Sequence, residues 1–171
     1  MNKKQRKRYA GKAASRALKT RDKLWPDLDK RRLWIRTQKD GFTTIPRTMP
    51  IILRIMDDMS NRRPVASTYL ALWSRVFDEC MVTIPNPREL AFEAGFSGQR
   101  SEQTWSTRMQ ILLSLSFIDA KPGPSGPFNY VLLWNPYEVI DVHHKKKKVQ
   151  EAKYIALYTR AQEVGADDLD E

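Results

Sequence analysis

The sequence predicts a mostly α protein with one small antiparallel β unit, an α+β chain. Three observations carry this. Apolar residues recur at helical spacing in three windows: Ile51, Ile52, Ile55, Met56 and Met59; Leu70, Trp73, Val76, Phe77 and Cys80; Trp105, Met109 and Leu112. Two strand-like stretches flank a Gly/Pro turn at one place, between Phe117 and Trp134. Hydrophobic residues make up 41% of the 171, enough for a core, yet no apolar run approaches the ~20 residues that span a bilayer.

Charge divides the chain unevenly. Residues 1–36 hold 14 Lys/Arg against 3 Asp, a net of +11; residues 37–171 hold 16 Lys/Arg against 17 Asp/Glu, a net of −1. The excess sits largely in a basic arm, residues 1–26, whose cations include Lys3, Lys4, Arg6, Lys7, Arg8, Lys12 and Arg16. With few apolar residues, the arm is expected to be disordered in isolation and able to become helical against phosphates. Such an arm suits a polyanion, duplex DNA first and RNA second; a solubilising tail is the plain alternative. It lacks the apolar face of a membrane-surface helix, and the N-terminus lacks the apolar stretch of a secretory signal. Cys80 is the single cysteine, which fits a reducing compartment, here a cytoplasmic, nucleoid-associated one.

Residues 27–63 are expected to form helices that pack on the core. Trp25-Pro26 marks the boundary, and Asp27 can cap a helix reaching Asp40. Leu24, Trp25, Leu28 and Ile35 would dock it, with Trp25 and Trp34 buried rather than stacked on bases. Phe42 to Ile45 reads as strand. Thr48 can cap the next helix, with Pro50 in its first turn. Asp57 and Asp58 are adjacent, so they point apart and read as solvated charges.

The central domain is expected at 64–142. A helix starts at Ser67 or Thr68, with Cys80 continuing its apolar stripe, and Val82-Thr83-Ile84 can add a third strand. Asn86-Pro87-Arg88-Glu89 opens the next helix: Asn86 caps, Pro87 suits the first position, and Glu89 can reach back. Leu90, Ala91 and Ala94 give it an apolar face; Gly95 can take the left-handed conformation with Phe96 packing back. After Ser97-Gly98-Gln99-Arg100, Ser101 caps a second helix to about Leu115. Phe117 to Lys121 and Phe128 to Trp134 then form strands across Pro122–Pro127, the second apolar on both sides and so expected to be covered on both faces.

On a wheel with Trp105 at zero, Met109 and Leu112 cluster inward, and Gln103, Ser106, Thr107, Gln110 and Ser114 collect opposite, with Arg100 just before the helix. That face is polar but uncharged. Amides and hydroxyls are suited to base edges, and Arg to guanine, so Arg100, Gln103, Thr107 and Gln110 are the candidate base readers. Ser101 and Thr104, at the helix start, are candidate phosphate contacts. Contact with another protein and plain solvation are the alternatives.

This order, from Ser67 to Trp134, resembles the winged helix-turn-helix superfamily of DNA-binding domains. The resemblance implies a winged helix-turn-helix with a small β wing and extra N- and C-terminal helices. It implies sequence-directed double-stranded DNA binding, as by transcriptional regulators or replication and partition proteins of plasmids and other mobile elements. The hairpin departs from many wings in having no charge in its turn. Lys121 is its one nearby cation for phosphate, with backbone amides and Ser125 offered instead.

Residues 143–171 hold a lysine run, a helix from about Lys147 to Val164 and an acidic tail. Val149, Ala152, Ile155, Ala156 and Thr159 fall along one side, and Gly165 is the stop. That helix can form a homodimer or pack on residues 50–59. His143 and His144, being neighbours without a third ligand, are not expected to bind metal. No Gly-rich phosphate loop or nucleophile–base pair is present, so no enzyme activity or cofactor is expected. The runner-up is a non-enzymatic protein-interaction subunit of a nucleoprotein complex, its arm binding RNA or DNA non-specifically. The near-neutral body favours that reading; the uncharged Gln/Ser/Thr stripe favours the DNA reader.

Overall fold

The computed structural model describes residues 3–170, with side chains for 11, 12 and 14–170. These residues form an α+β fold of seven α-helices around a three-stranded antiparallel sheet. The arm, expected to be disordered, is helical: α1 spans Lys3–Leu24. Its alanines, lysines and arginines are strong helix formers, and Gly11 is the main opposing residue. None of its described side chains joins the core.

No α-helix follows at 27–40. Residues 30–32 and 36–38 make short 3-10 turns, the first capped by Asp29 rather than Asp27 through a 3.0 Å bond from the Arg31 amide. Helices of this length need an apolar face to bury, and here none is buried. Trp25 and Trp34, expected to be buried, stand 59% and 64% exposed. Phe42 to Ile45 is not a strand. It lies where Trp73 Nε1 donates to the Thr44 carbonyl at 2.9 Å.

Helix α2 (Met49–Met59) buries Met49, Ile52, Ile55 and Met56. Thr48 precedes it, but its hydroxyl bonds to the Tyr137 hydroxyl instead of capping the helix. Helix α3 (Ala66–Trp73) packs on α2 and borrows its cap from it. Asp57 Oδ1 accepts from the Val65 amide at 2.7 Å and the Ala66 amide at 2.8 Å. Asp57 is therefore a structural acceptor rather than a solvated charge, while Asp58 pairs with Lys153. Asp57→Ala strips two helix-start amides of their acceptor and is expected to cost about 1–3 kcal/mol in urea unfolding. Asp58→Ala, at an exposed pair, is expected to cost less than about 1 kcal/mol.

Helix α3 stops at Trp73, and Ser74 Oγ donates back to the Leu70 carbonyl at 2.8 Å. The apolar spacing read through Cys80 crosses that end, so its register fails. Val65, Tyr69 and Leu72 fill the core, whereas Leu70, Phe77 and Cys80 face solvent, Cys80 at a φ of 54°.

Strand β1 (Met81–Thr83) is followed by helices α4 (Pro87–Glu93) and α5 (Ser101–Ser114), then strands β2 (Ile118–Gly123) and β3 (Gly126–Leu133). The sheet order is β1-β3-β2, with Val82 opposite Val131 and Ala120 opposite the same residue on the other side. Helix α4 has the expected ends. Asn86 Oδ1 accepts from the Glu89 amide, Gly95 takes a φ of 89°, and the Phe96 amide returns to the Ala91 carbonyl at 2.9 Å. One face of the sheet is covered. Val82, Ile118, Val131 and Leu133 point into the core, but Met81, Tyr130 and Trp134 are exposed, contrary to the expected two-sided cover.

Helix α6 (Pro136–Lys145) occupies residues read as the end of the domain, with Asn135 Oδ1 accepting from the Tyr137 amide at 3.0 Å. Helix α7 (Glu151–Val164) ends on Gly165 at a φ of 77° and packs on α2. It buries Leu157 and Ala161; Ala152, Ile155, Ala156 and Thr159 stay exposed. A single core runs from Met49 to Ala161, so the boundary drawn at 63/64 lies inside it and that at 142/143 falls within α6. His143 and His144 serve different partners. His143 Nε2 lies 2.9 Å from the Leu115 carbonyl, and His144 Nε2 lies 2.8 Å from Glu151 while stacking on Tyr154. Among the described residues no helix is long and apolar enough to cross a membrane.

Candidate nucleic-acid interface

The candidate residues centre on α5, whose apolar residues recur every three or four positions and lock one side of the helix. Trp105, Met109 and Leu112 enter the core, and Trp105 meets Phe128 nearly edge-on with 5.8 Å between ring centres. The Arg108 guanidinium lies 5.9 Å from the Phe96 ring centre, which ties α5 to the turn after α4. Helix α4 is held in turn by Arg75, 2.7 Å from Glu89 Oε1 and 2.5 Å from Glu93 Oε1. Glu89 therefore pairs with Arg75 rather than reaching back to its own helix start. The hydrogen bonds from Arg75 hold the Glu93 carboxyl below the usual carboxylate range. A depressed folded pKa means this tie is present at neutral pH and fades as the pH falls through that range.

Arg100, Gln103, Thr107 and Gln110 follow one another at intervals of three, four and three. That keeps them within an arc of about 80° and along about 15 Å of helix. Arg100, Gln103 and Gln110 are exposed, with no side-chain hydrogen bond to hold them among the described residues. Thr107 is half-buried and its hydroxyl donates to the Gln103 carbonyl at 3.0 Å, which leaves the oxygen's lone pairs as acceptors. Thr104 does the same to the Arg100 carbonyl at 2.9 Å. Ser101 does not cap: Arg100 takes that place, and Ser101 is buried in the first turn with its amide on the Gly98 carbonyl at 3.2 Å. Glu102 adds a carboxylate to the same turn, which opposes an anion there.

The hairpin turn is shorter than expected, with only Pro124 and Ser125 between the strands. Ser125 is engaged internally: its amide donates to Asn129 Oδ1 at 2.9 Å and its hydroxyl to the Ile84 carbonyl. A Cβ at Gly123 would sit 2.6 Å from Asn129 Cγ, so glycine is what lets the buried Asn129 close the turn. Lys121 stands on the solvent side of β2 opposite Tyr130, 3.8 Å from the Asp119 carboxylate.

On α1, Lys12, Arg16, Lys19 and Lys23 are exposed and recur at four, three and four, one cationic stripe about 17 Å long. Lys3, Lys4, Arg6, Lys7 and Arg8 share that helix, and their side chains lie outside those described. Lys30, Arg32, Arg36 and Lys39 are further exposed cations in the stretch of chain that holds Trp25 and Trp34. Their signal in the sequence is the interleaving of cations with aromatics from Lys23 to Phe42, which the packing expectation for the two tryptophans passes over. No protein-family model, curated protein or solved structure matches the chain.

Proposed function

We propose that this chain binds double-stranded DNA as a winged-helix protein, reading sequence with the exposed side of α5 and holding phosphates with α1. The role that suits it is a non-enzymatic transcriptional regulator or replication or partition protein of a plasmid or other mobile element, working at the nucleoid. The observation that carries the reading is the stripe of Arg100, Gln103, Thr107 and Gln110. It is uncharged after its first residue, and its helix is anchored from behind by Trp105, Met109 and Leu112. The element order from α3 to β3 supports it. A rigid helix with free amides on one side suits a major groove, where glutamine pairs with adenine and arginine with guanine.

Selection of bound duplexes from a random library tests this. The chain is expected to enrich one motif. Changing Gln103 and Thr107 together to Ala is expected to lower the preference for that motif about 10- to 100-fold while leaving non-specific binding in place. An unchanged preference would count against α5 as the reader. The body's net charge of −1 and Glu102 at the α5 start support the second reading, a protein-interaction subunit whose arm grips RNA or DNA non-specifically. On that reading no motif is enriched.

A further inference from the structure

The segment between α1 and α2 leaves its aromatic rings in water. This chain buries Trp105 almost fully, yet keeps Trp25 and Trp34 more than half exposed, with Phe42 exposed beside Trp34. Trp34 meets Phe42 at 85° with 6.0 Å between ring centres, and the Arg36 guanidinium lies 5.8 Å from the same Phe42 ring. Phe42 thus braces both neighbours while Trp34 stays open. Lys23, Lys30, Arg32 and Lys39 are exposed in the same segment, and of these Lys23, Arg32 and Lys39 have no carboxylate partner among the described residues; Lys30 feels the Asp22 carboxylate, and Arg31 is paired with Asp29 at 3.0 Å.

Exposed indoles and exposed cations in one segment meet the two needs of an unpaired nucleic-acid strand. Each base has a π-face to stack, and each phosphate a charge to neutralise. A duplex cannot use the rings in this way, because its bases already stack on one another. We infer that residues 23–42 bind single-stranded nucleic acid, with Trp25 and Trp34 as base platforms and Lys30, Arg32, Arg36 and Lys39 on the phosphates. This does not depend on α5 reading a duplex, since α5 shares no residue with 23–42.

The test uses the full chain, a labelled oligothymidine of about 20 nucleotides, and a duplex of the same length. Trp25→Ala with Trp34→Ala is expected to weaken oligothymidine binding at least roughly tenfold and duplex binding by less than about twofold. The matching Phe pair keeps a stacking ring and is expected to recover most of the loss. Oligothymidine should also quench tryptophan emission in the unaltered chain and do so less in the Ala pair. Both side chains are exposed, so the urea midpoint should not move. Three results overturn the inference: unchanged oligothymidine binding in the Ala pair, an equal loss for both ligands, or a change confined to self-association in sedimentation. The last would make the indoles contacts between protein chains.

Discussion

Trp105→Ala is expected to destabilise the protein by about 4 kcal/mol, the largest loss from any single substitution on α5. Trp105 is 2% exposed and lies between α5 and the strand that carries Phe128. Alanine removes the transfer free energy of a large ring and leaves a cavity that neighbouring elements can fill only partly. Against a total stability of about 5–15 kcal/mol, that is a large fraction. With a slope near 2 kcal/mol per molar urea, the midpoint should fall by about 2 M. Trp105→Phe should cost much less. The indole Nε1–H is buried with no acceptor among the described residues, so phenylalanine removes an unsatisfied donor along with part of the ring. Gln103→Ala and Gln110→Ala, on the opposite side, should stay within about 0.5 kcal/mol. If Trp105→Ala behaves like the surface changes, α5 does not pack on the sheet as described, and the rigidity of its outer stripe goes with it.

The parts of this fold that were legible in the sequence are those whose information is local. Asn86, Pro87, Gly95 and Phe96 fix both ends of α4 within eleven residues of chain, and the structure uses each as expected. The inward side of α5 follows from spacing, and β1 from the strand-forming Val82-Thr83-Ile84, although the strand runs one residue earlier, Met81–Thr83. The same local signal recurs at Asn135-Pro136-Tyr137-Glu138, where it opens α6, yet there Pro136 reads as a terminator. A proline at a helix start and one after a helix end differ only in the residues C-terminal to them, and here the His/Lys run masks the helix.

What was not legible depends on partners far along the chain. Asp57 looks solvated until Val65 and Ala66 are seen to donate to it. Ser125 looks available until Asn129 and Ile84 engage it. Apolar spacing also misleads where it runs across a helix end, as at Phe77 and Cys80, or where several residues compete for one side, as on α7. There the core takes Leu157 and Ala161 instead of Ile155. The polar stripe on α5 was legible because periodicity fixes it. The exposed tryptophans were not, because composition treats every indole as core.

A chain beginning at Gly41 is expected to bind duplex DNA on the order of 1,000-fold more weakly at about 0.15 M salt, with the same sequence preference. The residues removed include the whole net charge of +11 carried by 1–36, and none of those described contributes to a core that starts at Met49. The Thr44 carbonyl that receives Trp73 Nε1 is retained, so the truncated chain should unfold at the same urea concentration. If about eight cations of the arm meet phosphates in the full chain, the logarithm of its affinity should fall against the logarithm of salt with a slope of roughly −7. The truncated chain, left with Arg100 and Lys121 as its main candidates, should show a slope of roughly −2. The two quantities separate the roles: slope reports how many phosphates are held, while motif preference reports what α5 touches. A truncated chain that keeps the steep slope would move the phosphate contacts to the body, where Lys145 to Lys148 form the densest exposed run of cations. One that loses the motif together with the slope would show that α1 orients α5 on the duplex as well as attracting it.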